Sequence, residues 1–401
     1  MPHDVSLIAT VAVGLTLAFI AGFLAVRIGL PPLVGYLLAG IAVGPFTAGF
    51  VADAKLAPQL AEIGVVLLMF GVGMHFSIGD LWAVRRIAIP GAIGQIVVAT
   101  CLGAGVSRLW GWPLEAGLMF GLALSVASTV VLLRALEDRG LLGTTDGRIA
   151  IGWLVVEDLV MVLCLVLLPP LAGPGGTHPG GALPANLWAA FGLTLGKVIA
   201  FVALILVVGG RVFPWLLKRV ESTGSRELFT LAVIALSLGV AFGSAELFGV
   251  SLALGAFFAG MVIHESDLSH RASTEMLPLQ DAFGALFFVS VGMLFDPAVL
   301  MREPLRVLTV IGIIVIGKSI AALGIVLALR GALRTALTVS AALAQIGEFS
   351  FILATLGVAL GLLGAETQSL IVAGALISIT INPLVFSAVG RWMPKAERPI
   401  R

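Results

Sequence analysis

The stretch Val34-Gly-Tyr-Leu-Leu-Ala-Gly-Ile41 returns 220 residues later as Leu254-Gly-Ala-Phe-Phe-Ala-Gly-Met261. A second stretch, Val72-Gly-Met-His-Phe76, returns as Val291-Gly-Met-Leu-Phe295 at an offset of 219. One such match among Gly- and Leu-rich segments arises easily by chance, but two at nearly one offset are harder to dismiss. The composition says what kind of element is repeated. Of 401 residues, 59% are hydrophobic and 11% charged, against about 45–50% and about 25% in an ordinary soluble domain. No soluble interior holds that much apolar surface, so the chain is an integral membrane protein. A net charge of +1 without a basic tract argues against a nucleic-acid partner. Cys101 and Cys164 fall inside apolar runs and read as inert core residues, not as a disulfide framework. The first apolar run follows no Lys or Arg and so lacks the basic start of a signal peptide.

A membrane helix takes about 20 apolar residues. Thirteen candidate spans result: 6–26, 31–47, 58–76, 87–107, 114–135, 149–169, 187–215, 226–244, 247–263, 277–295, 304–329, 333–360 and 367–390. Pro31-Pro32 and Gly44-Pro45 bound the short second span. The Gly/Pro-rich loop PPLAGPGGTHPGGALP comes after the sixth. With the N-terminus outside, seventeen of the 23 Lys and Arg residues fall in inner loops and the inner tail, and four in outer loops. That is the bias of the positive-inside rule, and a wrong span count would scramble it. With basic residues at span ends counted in the adjoining loops, only Lys197 and Lys318 remain within spans. Lys197 is placed to snorkel.

The repeated stretches join span 2 to span 9 and span 3 to span 10. A shift of seven spans is odd, so the second copy is inverted. Inverted repeats mark many secondary transporters, whose site lies at the midplane between the copies. Carried forward at 219, the repeat sets Ala123-Leu-Ser-Val-Ala-Ser-Thr-Val-Val131 of span 5 against Ala342-Leu-Ala-Gln-Ile-Gly-Glu-Phe-Ser350 of span 12. Both apolar runs are interrupted at the same place, by Ser128 and Thr129 in one and Gly347 and Glu348 in the other. Matching interruptions point to broken helices, whose freed backbone groups can coordinate ions. Ser125 reads as a packing serine bonded to its preceding turn. Glu62 and Gln95 either line an aqueous path or only pack.

Span 6 reads Gly152-Trp-Leu-Val-Val-Glu-Asp-Leu-Val-Met161, with two acids in an otherwise apolar run. An acid at the bilayer centre costs about 2.5–3.5 kcal/mol even on lenient scales. Neighbouring helix residues point about 100° apart, so Glu157 and Asp158 take different roles. Lys318, deep in span 11, is the expected ion-pair partner of Glu157, which leaves Asp158 for a cation or a proton.

These motifs resemble the monovalent cation:proton antiporter-2 family, and within it the Kef-type potassium/proton antiporters. The likeness rests on Leu30-Pro-Pro-Leu-Val-Gly-Tyr-Leu-Leu-Ala-Gly40, Glu62-Ile-Gly-Val-Val-Leu-Leu-Met-Phe-Gly71, Leu286-Phe-Phe-Val-Ser-Val-Gly-Met293 and Gln345-Ile-Gly-Glu-Phe-Ser-Phe351, in that order along nearly the whole chain. It implies the sodium/proton-antiporter fold: an all-α membrane domain over 1–390, with a core of two crossed broken helices and a panel that forms a homodimer. It carries the ion- and proton-binding role to Asp158, assisted by Glu157, Ser128 and Thr129. Charge compensation falls to Lys318, and the broken-helix path to Gln345, Gly347 and Glu348. Glu157 departs from the Gln that Kef-type proteins commonly place there. Residues 391–401 read as a basic cytoplasmic tail, without the nucleotide-binding regulatory domain that many Kef-type proteins carry, although such a domain or a separate subunit could meet the chain on that side.

The expected function is therefore exchange of a monovalent cation, K+ by the resemblance, for H+ across a bacterial-type inner membrane. It needs no cofactor, and its partners are the ions and the lipid bilayer. A sodium/proton antiporter on the same fold is the nearest alternative. A channel would need a filter loop that is not seen, and an intramembrane protease would need a second deep Asp or an HExxH.

Overall fold

The computed structural model describes residues 6–47, 56–75, 78–172 and 187–391, and every regular element among them is helical. The first copy holds α1 (Ser6–Arg27), α2 (Pro32–Val43), α3 (Leu56–His75), α4 (Ile78–Leu109), α5 (Leu114–Ser125), α6 (Thr129–Glu137) and α7 (Thr145–Ala172). A linking span comes next, made of α8 (Leu187–Leu204), a π turn at Ile205–Gly209 and α9 (Gly210–Glu221). The second copy begins with α10 (Arg226–Phe248), α11 (Leu252–His264), α12 (Ser269–Met293), α13 (Val299–Arg302) and α14 (Pro304–Ile311). A π turn at Gly312–Gly317 leads on to α15 (Lys318–Ala328), α16 (Leu333–Ala342), α17 (Glu348–Ala359) and α18 (Ala365–Gly390).

The repeat is written in the helix starts. α1 and α10 begin 220 residues apart, as do α2 and α11, while α5 and α16, and α6 and α17, begin 219 apart. Among the described residues eight helices are long and apolar enough to cross a membrane, and α2, α5, α11 and α17 are shorter apolar helices. The expected spans outside those eight are the short α2 and α11, the two broken helices and the acid-bearing α7. Hydropathy misplaces some ends. α4 starts at Ile78, not near 87, because its first turns are polar and project beyond the apolar run. The loop at 173–186 and the tail at 392–401 lie outside the described residues.

The chain forms two compact units, each drawing helices from both copies. The first comprises Met1–Leu24, Gly35–Ser77 and Val162–Leu294; the second comprises Ala25–Val34, Ile78–Met161 and Phe295–Arg401. In the first unit the repeated motifs explain themselves. A Cβ on Gly40 would lie 2.8 Å from the Gly292 Cα, and one on Gly292 would lie 2.9 Å from the Gly40 Cα. Likewise a Cβ on Gly73 would lie 3.0 Å from Met261 N, and one on Gly260 would lie 3.0 Å from Met74 N. So α2 meets α12, and α11 meets α3, through the same pair of repeat positions. Helices in lipid gain little from hydrophobicity between them and associate through such close small-residue contacts. Cys101, expected in the core, is exposed on α4, and both cysteines are free.

A polar crossing of two broken helices

Both expected breaks occur within the second unit. α5 ends at Ser125, Val126 turns to extended backbone (φ −88°, ψ 134°), and α6 restarts at Thr129. The Ser-Thr pair favours this, because their side chains compete with the helix for backbone groups. α16 ends at Ala342 and α17 restarts at Glu348 after an extended Gly347. Ser128 and Gly347 occupy corresponding repeat positions, and at the crossing they touch. A Cβ on Gly347 would lie 2.5–2.8 Å from Ser128 atoms, so only glycine lets the two backbones approach this closely.

Gln345 fastens the crossing. Its Oε1 accepts from Ser128 N–H at 3.0 Å and its Nε2 donates to Ser128 O at 3.1 Å. The side-chain amide thus pairs with both backbone groups of one residue of the first break, as a neighbouring strand would. Ser350 Oγ adds a long bond of 3.5 Å to Val126 O. Ser128 Oγ accepts from Val131 N at 3.4 Å and so caps α6.

The buried charges serve the freed backbone groups. Glu157 is fully buried; its Oε2 accepts from Ala127 N–H at 3.1 Å and its Oε1 from Trp153 Nε1–H at 3.1 Å. Lys318, equally buried, donates to Gln345 O at 3.0 Å. The expected Glu157–Lys318 ion pair is therefore not made: no N–O distance between them falls within 4.0 Å among the ion pairs of the described residues. The reason is the breaks themselves. An unsatisfied backbone group in hydrocarbon costs several kcal/mol, so the acid goes to an orphan N–H and the ammonium to an orphan carbonyl, each matched in polarity.

Asp158 is different. It is 2% exposed, its Oδ2 accepts from Thr129 Oγ1 at 3.0 Å, and its Oδ1 has no hydrogen-bond partner among the described residues. Glu348 Oε2 is likewise buried and without a hydrogen-bond partner among the described residues. The crossing thus leaves two unpartnered carboxylate oxygens, an arrangement suited to holding a proton or a bare cation. Ser125 Oγ bonds Leu122 O at 2.7 Å, the packing role expected of it.

Four contributors escape a reading by charge alone. Trp153 is the i−4 neighbour of Glu157 on α7, and that spacing was its available signal. Its ring packs against Gly91, where a Cβ would collide with it. Asn382 of α18 donates to Ala341 O at 2.9 Å, near the end of α16. Ser319 and Ser340 exchange hydroxyl bonds with each other's carbonyls at 3.1 and 2.8 Å. Nothing in the local sequence distinguishes these last residues from ordinary packing positions.

A family model described as the transmembrane region of sodium/hydrogen exchangers matches residues 15–392. The chain belongs to the sodium/hydrogen exchanger family. YbaL of Escherichia coli (strain K12), named provisionally as a cation/proton antiporter, is 60% identical over 99% of this chain and 71% of its own length. K(+) efflux antiporter 4 of Arabidopsis thaliana is 33% identical over 96% of this chain and 64% of its own length. Among solved structures, the sodium proton antiporter MjNhaP1 of Methanocaldococcus jannaschii superposes with a TM-score of 0.73 at 15% identity, covering 96% of this chain and 97% of that one. That likeness shows the fold. The resemblance to the monovalent cation:proton antiporter-2 family holds, and the chain is a multi-pass membrane protein of the cation/proton antiporter class.

Proposed function

We propose that the protein exchanges potassium for protons by alternating access, with Asp158 as the carboxylate at which the two compete. The observation that carries this reading is the Asp158 side chain, buried, held on one oxygen by Thr129 and unpartnered on the other. A carboxylate in that position is costly unless neutralised. A proton or a monovalent cation neutralises it equally well, and one oxygen does not hold both. Glu348 supplies a second open oxygen, and Ser128 and Thr129 supply polar groups at the start of α6. Glu157, Lys318, Gln345 and Gly347 hold the two breaks in place, so the charge free to change partners is at Asp158.

Potassium is the choice because a relative named as a K(+) efflux antiporter matches nearly the whole chain. Sodium is the second reading, favoured by the family description and by the fold shared with a sodium proton antiporter. The charge bias of the loops supports a plasma (inner) membrane setting with the N-terminus outside and the C-terminus cytoplasmic. On this reading the chain works as a homodimer, and a regulatory module would meet it on the cytoplasmic side.

The test is proton flux in proteoliposomes driven by potassium, sodium and lithium gradients in one preparation. Asp158→Asn should reduce cation-dependent flux to the level of empty vesicles, and flux surviving that change removes the central claim. A sodium response larger than the potassium response moves the assignment to the second reading.

A further inference from the structure

The two breaks are served by corresponding donors. Lys318 of α15 donates to Gln345 O at 3.0 Å, and Gln95 of α4 donates from Nε2 to Ser125 O, also at 3.0 Å. Both side chains are fully buried. α4 and α15 are repeat counterparts whose last residues, Leu109 and Ala328, are 219 apart. On that register Lys318 aligns with Ala99, one helical turn from Gln95 and on the same face. The second copy carries a π turn at Gly312–Gly317, immediately before Lys318, that α4 lacks.

We propose that Gln95 is a positioning residue for the ion site, the neutral first-copy counterpart of Lys318. Ser125 is the last residue of α5, so its carbonyl is one of the acceptors that a helix end leaves open. Two residues on, Ala127 N–H meets Glu157; four residues on, the Thr129 hydroxyl meets Asp158. Holding the Ser125 carbonyl fixes the entry to the segment that presents Thr129. Chemistry sets the amide orientation, because a carbonyl takes a donor; Gln95 Oε1 therefore points away and is unpartnered among the described residues. The donor sets the position of the break, and its charge acts separately: an ammonium here would favour the ionised form of Asp158, so that its proton is released at lower pH. The inference rests on the reading of Asp158 as the ion carboxylate.

The experiment uses the whole chain in vesicles and measures KM for potassium, the pH profile of exchange, and thermal unfolding as a check on folding. Gln95→Leu removes the donor at similar volume and should raise KM about three- to tenfold per folded molecule, the weight of one hydrogen bond. Gln95→Lys keeps a donor and adds charge; it should bring KM to within about threefold of the wild type and move the pH profile about one unit toward acid. Wild-type KM and pH profile in folded Gln95→Leu overturn the proposal, and so does an unchanged profile in Gln95→Lys. If Gln95→Leu gives no folded protein, Gln95→Lys decides alone, and its own failure to fold also overturns the proposal, since a counterpart of Lys318 must accept a lysine. Asp158→Asn in the same vesicles separates the two readings. Flux surviving in that variant ends the ion assignment whatever Gln95 does.

Discussion

The glycine seams of the first unit and the polar crossing of the second come from one repeat and solve one problem in opposite ways. Both bring two backbones into contact through glycine, Gly40 with Gly292 and Gly73 with the Gly260 helix in one, Gly347 with Ser128 in the other. At the seams the helices run unbroken through the contact, so no side chain has to replace a missing backbone bond there. At the crossing both helices are interrupted, and side chains must replace the missing bonds. Accordingly all four buried charged residues of the described chain, Glu157, Asp158, Lys318 and Glu348, lie in the second unit. Close approach alone makes a seam of small residues; close approach with broken helices makes a place where buried charge can be held.

If that contrast is right, Gln345→Leu should be among the most damaging single changes. It leaves the N–H of Ser128 unpaired in a buried site, at about 1–3 kcal/mol, and takes one of two donors from the Ser128 carbonyl, which Leu132 N–H still meets at 3.1 Å. Thermal unfolding in detergent should fall steeply, and flux per folded molecule should fall with it. Gly292→Val tests the other side. Its side chain would meet the Gly40 backbone, and overpacking of this kind costs about 3 kcal/mol. The remaining folded protein should keep the wild-type KM, because the seam holds no ion; a changed KM would erase the division between the two regions. Trp153→Phe is milder. The ring still fills the space beside Gly91, but Glu157 loses one of its two donors, worth about 1.5–3 kcal/mol for a bond to a charged group. A variant as stable as the wild type would mean that Ala127 N–H alone suffices for Glu157.

The membrane class, the repeat and the positions of both breaks were legible because each leaves a linear mark: composition, recurring glycines, and polar residues interrupting matched apolar runs. Asp158 stood out for the same reason, as a charge where charge is expensive. The partner of Lys318 was not legible. Opposite charges in one membrane suggest an ion pair, but a break exposes backbone acceptors that a sequence does not display, and one of these took the ammonium. Gln95 was visible only as a polar residue in an apolar run, since its meaning depends on a carbonyl thirty residues away. The π turn before Lys318 left no mark at all, as it is built from Gly, Ile and Val residues that also fit an α-helix.

The smallest effect expected is on the first unit's surface, where charge is abundant but solvated. Lys218 Nζ lies 2.7 Å from Asp267 Oδ2, with both side chains largely exposed. The lysine holds the Asp267 carboxyl below its ordinary 3.8, first through the hydrogen bond and then through its charge. A carboxyl lowered on folding stabilises the protein above its unfolded value, and that contribution disappears as pH falls through the folded one. The pair should therefore act at neutral pH and be lost below about pH 4. Exposure and salt screen it heavily. Lys218→Ala should leave thermal unfolding at pH 7 almost unchanged and leave flux untouched. A large loss there, comparable to that of Gln345→Leu, would show that charge matters outside the crossing too, and the contrast between the two units would fail at its simplest point.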